Sequence, residues 1–285
     1  MLSRDEIRRA VREALSEDLG SGDVTTLATV PEEATVSASL VAREDLVLAG
    51  LELAEAAFLE LCPAANLQRA ARDGHRVQAG GEILRIVNTP ARPILSAERV
   101  ALNFVQRLSG VATLTARYVE AIAGTQARIL DTRKTTPGWR RLEKYAMKCG
   151  GGMNHRFGLF DRILIKDNHL SALKHEQPNA ITAAVRRARA SYPKLEVEVE
   201  ADTLEQVKQA LEAGADIILF DNMSLEQMRA AVGMVKGRAK SEASGGVNLT
   251  TVRAIAETGV DYISVGALTH SARAVDIALD FVAED

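Results

Sequence analysis

Two cysteines, one tryptophan and a 4% share of aromatic side chains are the scarcities of this 285-residue chain, and each removes a class of protein. Cys62 and Cys149 have no metal-type spacing, so the sequence offers neither a disulfide framework nor a thiolate metal site, and a reducing, cytoplasmic setting is expected. Cys149, beside the glycine run, lacks the neighbours of an activated thiol and reads as a small buried filler. The few aromatics are not interleaved with basic residues, which argues against the base-stacking platforms of a nucleic-acid binder. No apolar run approaches the roughly 20 residues of a membrane span; Ile217-Ile218-Leu219-Phe220 is representative. The opening stretch from Met1 to Arg9 carries charges where a secretory signal needs an apolar region, so no export is expected.

What is present is a globular composition, 47% hydrophobic, sufficient for one large domain or two smaller ones. The net charge of -3 conceals an asymmetry. Between Arg128 and His169 ten Lys/Arg stand against four Asp/Glu, a local +6 that leaves -9 for the rest. These cations sit among Gly, Pro and Asn rather than along one helical stripe, and loop side chains point where the scaffold directs them. The segment therefore reads as a site for small, dense anions rather than as a solvated basic face or a broad nucleic-acid surface.

Periodicity divides the chain near residue 100. Before it, Ala34 to Ala42 alternates as a strand, as do short runs around Val77 and from Ile83 to Val87, with a helix over Leu51 to Leu61 between them. A long amphipathic helix from Glu98 to about Ala123 is expected to link this small α+β unit to the C-terminal half of the chain. Beyond Gly124, strands are expected near Arg128–Leu130, Arg162–Ile165, Leu195–Val199, Asp216–Phe220, Ala239–Ala243 and Asp261–Val265. Helices are expected near Ala180–Ala190, Leu204–Ala213, Leu225–Val235, Leu249–Glu257 and Ala272–Phe281. Strands alternating with helices imply a parallel sheet. Polar residues collect at the carboxyl ends, which is the active-site rim of an α/β barrel. An open doubly wound sheet obeys the same end rule. The barrel is preferred because Ser244-Gly245-Gly246 and Gly266-Ala267, after the last two strands, look like a paired phosphate site in which glycines let backbone N–H groups approach an anion.

Glu196, Glu198 and Glu200 share one strand face, which in a barrel points inward and needs a cation or a basic partner. Asp221 ends the next strand. Two readings stay open for these carboxylates: Mg²⁺ completed by substrate phosphate oxygens and water, or ion pairs with Arg133, Lys134 or Lys166.

Taken together, Glu98 to Asn103, Asp131 to Gly138, Gly150 to Gly158, Leu164 to His169, Glu196 to Glu200, Phe220 to Met223, Ser244 to Gly246 and Val265 to Ser271 resemble the quinolinate phosphoribosyltransferase family. The segment Glu17 to Thr26 also fits, so the resemblance spans nearly the whole chain. It implies a pentosyl-transferring enzyme of NAD biosynthesis that converts quinolinate and 5-phosphoribosyl 1-pyrophosphate into nicotinate mononucleotide, pyrophosphate and CO₂. It implies an N-terminal α/β sandwich (residues 1–105) followed by an incomplete parallel α/β barrel of the type II phosphoribosyltransferase kind (106–271), with a C-terminal helix (272–285) packing back on the first domain. By the same resemblance Arg133, His155, Arg156 and Lys166, with Thr132 beside them, surround the quinolinate carboxylates, and Lys134 reaches toward the pyrophosphate. Glu198 and Asp221 lie near the ribose hydroxyls and Mg²⁺, while Ser244, Gly245, Gly246 and Gly266 cradle the 5′-phosphate. Lys134, Lys166, Glu198 and Asp221 form the implied catalytic set. Arg99 matches an arginine donated across a homodimer with shared sites, from which a higher oligomer could be built. One departure is Ala201-Asp202-Thr203: counting back from Asp221 favours Glu200 as the key carboxylate, whereas motif position favours Glu198. Two other readings remain, a related phosphoribosyltransferase-like protein of metal-transport operons and a non-catalytic anion-binding barrel.

Overall fold

The computed structural model describes residues 1–282. In chain order the first elements are α1 (Arg4–Leu19), α2 (Val24–Thr29), β1 (Thr35–Ala42), β2 (Leu46–Val47), α3 (Leu51–Leu61), β3 (Asn66–Arg69), β4 (Arg76–Val77), β5 (Glu82–Pro90) and α4 (Ala91–Ala121). Next come β6 (Arg128–Leu130), α5 (Arg140–Cys149), β7 (Ile163–Ile165), α6 (Asp167–Ser171), α7 (Ala180–Ser191), β8 (Val197–Ala201), α8 (Leu204–Ala213), β9 (Ile217–Asp221) and α9 (Leu225–Val235). The last are β10 (Lys240–Ser244), α10 (Val252–Ala256), β11 (Tyr262–Ser264), α11 (Ala267–His270) and β12 (Ile277–Val282). They form two compact units: residues 1–116, 137–151 and those from Ser271 onward, and residues 117–136 with 152–270.

The first unit is built on an antiparallel sheet of order β12-β1-β5-β3. Its first helix starts at a capping box: the Glu6 amide donates to the Ser3 hydroxyl and the Ser3 amide to the Glu6 carboxylate. Ile7, Val11 and Leu15 then form one buried stripe at helical spacing. The charged residues of this segment thus form the solvent face of the helix.

Two expectations are corrected by the fold. The C-terminal segment expected to be a helix over 272–285 is the strand β12, paired antiparallel with β1 from Ala42 opposite Ile277 to Ser37 opposite Val282; residues 283–285 lie outside the described residues. Its apolar run is too short for periodicity to choose between helix and strand, and pairing with β1 decides for the strand. The division expected at residue 105 falls inside α4, which runs on to Ala121. Finally, Arg140, Arg141, Lys144 and Lys148 of the basic segment belong to α5 in the first unit, so the anion-binding reading applies only to its remaining cations. That helix buries Leu142, Ala146 and Met147, and its fully buried Glu143 is met by Arg107 at 2.9 Å.

The second unit is a six-stranded parallel sheet of order β6-β11-β10-β9-β8-β7. Each strand from β7 to β11 lies beside the next in sequence, and the last pairs with β6, the first. Such an order requires the sheet to curl, leaving its gap between β6 and β7, and this is an incomplete barrel rather than a doubly wound sheet with a switch point. Met153 pairs in parallel with Leu130 along the free edge of β6. On β8, Val197, Val199 and Ala201 face one way and are fully buried, while Glu198 and Glu200 face the other. The β8–α8 and β9–α9 connections end in capping boxes at Thr203 with Gln206 and Ser224 with Gln227, which fix where each helix begins.

Candidate active site

At the carboxyl ends of the barrel strands lies a cavity of about 840 Å³. Thr132, Arg133 and Lys134 reach it from the loop after β6, His155 and Arg156 from the loop before β7, and Lys166 from the end of β7. Glu200, Asp221 and Ser244-Gly245-Gly246 reach it from the ends of β8, β9 and β10. These are residues that the sequence singled out, brought together from five strands, as the rim rule of a barrel requires.

Local structure aims the cations. The amides of Phe157 and Gly158 donate to the Asp161 carboxylate at 2.6 and 2.8 Å, closing the turn that presents His155 and Arg156. The His155 amide donates to the fully buried Asp131 carboxylate at 2.8 Å, tying that turn to the end of β6. The Thr269 hydroxyl donates to the Lys134 carbonyl at 2.7 Å, and a Cβ on Gly266 would come within 3.2 Å of Lys134 Cδ. Gly266 therefore lets the Lys134 side chain lie across it, although Gly266 itself does not line the cavity. Burial first, and then repulsion from Arg133, pulls Arg156 below the usual guanidinium pKa. Two cations held together at this cost form a receptor for an anion.

The glycines after β10 do what their position suggests. Gly245 has φ +95°, and a Cβ there would fall 2.1 Å from Asn222 Oδ1. Asn222, itself at φ +53°, donates from its amide nitrogen to the Ser244 carbonyl at 3.0 Å and from Nδ2 to Asp221 at 2.9 Å. The carboxylate on β9 and the glycine loop after β10 thus share one support. The helix expected over Leu249–Glu257 begins only at Val252, because the Asn248 side chain accepts the amides of Thr250 and Thr251 and holds those residues in a turn.

The acidic residues require a correction. Glu198 was expected beside Asp221 at the ribose and Mg²⁺, but it is fully buried and does not line the cavity, whereas Glu200 does. Both point inward, and the two-residue step between them moves a side chain roughly 6.6 Å along the strand. Only Glu200 reaches the rim, where it accepts Lys166 Nζ at 2.6 Å. Glu198 belongs to a deeper layer: His155 Nε2 is 3.1 Å away, and Arg162, which also holds Glu196, is 3.5 Å away. Glu242, fully buried on β10, completes this layer 3.5 Å from His155 Nε2. The three side chains could ligate a metal, their ligand atoms lying within 4.8 Å of one another, but Arg162 already supplies counter-charge. Glu200 and Asp221, which line the cavity where substrate phosphate oxygens could complete a coordination shell, suit Mg²⁺ better.

Arg99 stands exposed on α4 in the first unit and does not line the cavity. Sequence reasoning passed over Glu242, Asn222, His169 and Ser264, all of which line it. The signal for Glu242 was available, since it precedes Ser244 by two residues and so shares its strand face.

An incomplete parallel barrel whose rim gathers these cations, two carboxylates and a glycine loop, in a chain that also carries an antiparallel sheet unit, has the type II phosphoribosyltransferase fold. Residues 111–280 match the C-terminal domain of quinolinate phosphoribosyl transferase and residues 23–109 its N-terminal domain. The chain belongs to the quinolinate phosphoribosyltransferase family. It is 45% identical over 282 residues to the nicotinate-nucleotide pyrophosphorylase (carboxylating) of Mycobacterium leprae, covering 97% of each chain. With the probable enzyme of that name from Bacillus subtilis it shares 41% identity over 276 residues, covering 96% of this chain and 93% of the relative. The solved structure of the nicotinate-nucleotide pyrophosphorylase from Francisella tularensis superimposes with a TM-score of 0.92 at 39% identity, covering 99% and 98% of the two chains. No helix among the described residues is long and apolar enough to cross a membrane.

Proposed function

We propose that the cavity joins quinolinate to 5-phosphoribosyl 1-pyrophosphate, releasing pyrophosphate and CO₂ and leaving nicotinate mononucleotide. The observation that carries this reading is the crowding of Arg156 by Arg133 beside Lys166, a concentration of positive charge that suits a dicarboxylate. Arg133, Arg156 and Lys166, with His155 and Thr132, bind and orient quinolinate. The loop Ser244-Gly245-Gly246, with Gly266, takes the 5′-phosphate. Glu200 and Asp221 face the ribose hydroxyls and would hold Mg²⁺, which when bound would neutralise charge on the departing pyrophosphate. As the bond to pyrophosphate breaks, the anomeric carbon becomes cationic. The rim carboxylates stabilise that charge and Lys134 the leaving group. Lys166 leaves Glu200 for the substrate carboxylate, so binding frees a rim carboxylate when the ribose needs it. After transfer, the positive ring nitrogen stabilises the electron pair left at the adjacent carbon by loss of CO₂, and the protein supplies chiefly orientation.

A direct test compares quinolinate with nicotinate. Nicotinate has one carboxylate and leaves a cation unmatched, so its kcat/KM should be lower by about 10³-fold. Comparable turnover of the two substrates would refute the reading. The cysteines are unlinked, Cys62 buried and Cys149 partly so, which supports a reducing, cytoplasmic setting. The protein acts as a homodimer in which exposed Arg99 serves the partner's cavity, since a twofold arrangement makes such donation reciprocal. Refolding Arg99→Ala together with Lys166→Ala should then restore activity through one intact site per mixed dimer. Mixed dimers as inactive as their parents would show that Arg99 serves its own chain.

A further inference from the structure

The chemistry leaves one requirement unassigned. When CO₂ departs, the ring carbon keeps an electron pair and must receive a proton, which makes the question one of which cavity group can give it. This inference rests on the proposed reaction.

The cations are poor candidates. Guanidinium groups such as Arg133 and Arg156 do not release protons in proteins. Lys166 is tied to a carboxylate throughout, to Glu200 at 2.6 Å before substrate binds and to the substrate carboxylate afterwards, while Lys134 and His169 are exposed. His155 is committed on both sides: Nδ1 accepts the Arg156 amide at 2.7 Å and Nε2 faces Glu198 at 3.1 Å. Burial lowers the pKa of this ring, but the bond to Glu198 and the charges of Glu242 and Glu198 carry it above its ordinary value. The Arg156 amide nevertheless occupies the nitrogen that would take the second proton, so the ring is the neutral Nε2–H tautomer.

Glu242 differs from all of these. It lines the cavity, it is fully buried, and its Oε2 has no hydrogen-bond partner among the described residues, while its Oε1 accepts the Ser264 hydroxyl from β11. The charged and titratable groups facing it are Glu198 on β8, His155 from the loop before β7 and Arg162 at the foot of β7. With His155 neutral, two buried carboxylates share one guanidinium, so one of them must carry a proton. Burial first, and the charge of Glu198 next, push Glu242 up to about 7. A buried acid without a partner on one oxygen has a hydrogen to give, as the imidazole and guanidinium groups do not.

We propose that Glu242, on the inner wall of the cavity, is the proton donor that quenches the ring carbon freed of its carboxylate. The bond from that carbon to the carboxylate breaks, its electron pair stays on the carbon, and CO₂ leaves. The O–H bond of Glu242 then breaks with its electrons remaining on Oε2, and the proton bonds to the ring carbon. Water reprotonates Glu242 once the product has left.

Microscopic reversibility supplies the test. In D₂O the protein, with bound nicotinate mononucleotide and no pyrophosphate, should exchange the hydrogen on the ring carbon next to the ring nitrogen, read by proton NMR. Glu242→Gln should exchange at least about 100-fold more slowly while binding the mononucleotide within about threefold of the unaltered protein. In single turnover this variant should release pyrophosphate at the normal rate and accumulate the mononucleotide that still bears both carboxylates. Equal exchange by both proteins, or parallel loss of pyrophosphate and CO₂ release, overturns the assignment. Absence of exchange in the unaltered protein also overturns it and requires no variant. If the unaltered protein consumes no quinolinate at all, the proposed function fails, a different result from failure of Glu242 alone.

Discussion

At the carboxyl ends of the barrel strands, Arg133 and Arg156 crowd each other around a cavity of about 840 Å³. At the amino ends of the same strands a second cavity, of about 700 Å³, is lined by Asp216, Lys240 and Asp261. Its acids are satisfied. Asp261 accepts Lys240 Nζ at 2.7 Å and the Ser241 amide and hydroxyl, and Asp216 accepts Arg189 at 2.7 Å and the Val197 amide at 2.7 Å. Size therefore does not distinguish the two ends. The charges at the lower end stitch strand starts to their neighbours and serve stability, whereas the upper end concentrates charge that a ligand can relieve.

The largest test of this contrast is Arg156→Ala. It should reduce kcat/KM for quinolinate by about 10³-fold, since truncating one partner of a partly buried charge pair costs about 4 kcal/mol. Its urea midpoint should stay close to that of the parent, because removing Arg156 relieves repulsion from Arg133. A variant that unfolds readily would show that this cation also serves stability, and the contrast between the ends would fail.

Gly245→Ala should have an intermediate effect. The new Cβ meets Asn222 Oδ1, and φ +95° disfavours any side chain. The KM for 5-phosphoribosyl 1-pyrophosphate should rise about 30-fold and stability fall by about 2 kcal/mol, with little change in quinolinate affinity. Equal losses for both substrates in steady-state kinetics would mean that the glycine loop does not serve the phosphate side.

The smallest effect is expected at the lower end. Asp261→Asn removes the ion pair with Lys240 and should lower stability by about 1 kcal/mol while leaving kcat and KM unchanged. Burial raises the Asp261 pKa, but the Lys240 and Ser241 contacts outweigh it and hold the carboxyl below its ordinary value. A depressed folded pKa contributes stability above the unfolded value, and that contribution is lost as pH falls through the folded one. The stability gap between Asp261→Asn and its parent should therefore be full at neutral pH and narrow below about pH 4. A gap that persists in acid, measured by urea unfolding, would remove the charge from the explanation.

How legible each feature was depended on how local its determinants are. Strand β6 and helices α3, α8 and α9 fall at the expected residues, because apolar period and capping residues are local signals. Segment 277–282 was misread because its short apolar run fits either period and only β1 could decide between them. The rim residues Arg133, Lys134, His155, Arg156, Lys166 and Asp221 were readable because each belongs to a motif, and all but His155 and Arg156 stand at the end of a recognisable strand. The depth of Glu198 and Glu200 was not, since identical residues two positions apart on one face carry no label for the layer they occupy.

The alternation of strands and helices, the anion-binding motifs and the family they identify are written in neighbouring residues, and no fold was needed to read them. Three other features arose only when the chain closed on itself: α5 leaves the basic segment for the other unit, Glu200 rather than Glu198 reaches Lys166, and Glu242 meets Glu198 and His155 in a buried layer. The reason is physical: burial and charge pairing act through space, between residues that only the closing of the sheet brings within a few ångströms.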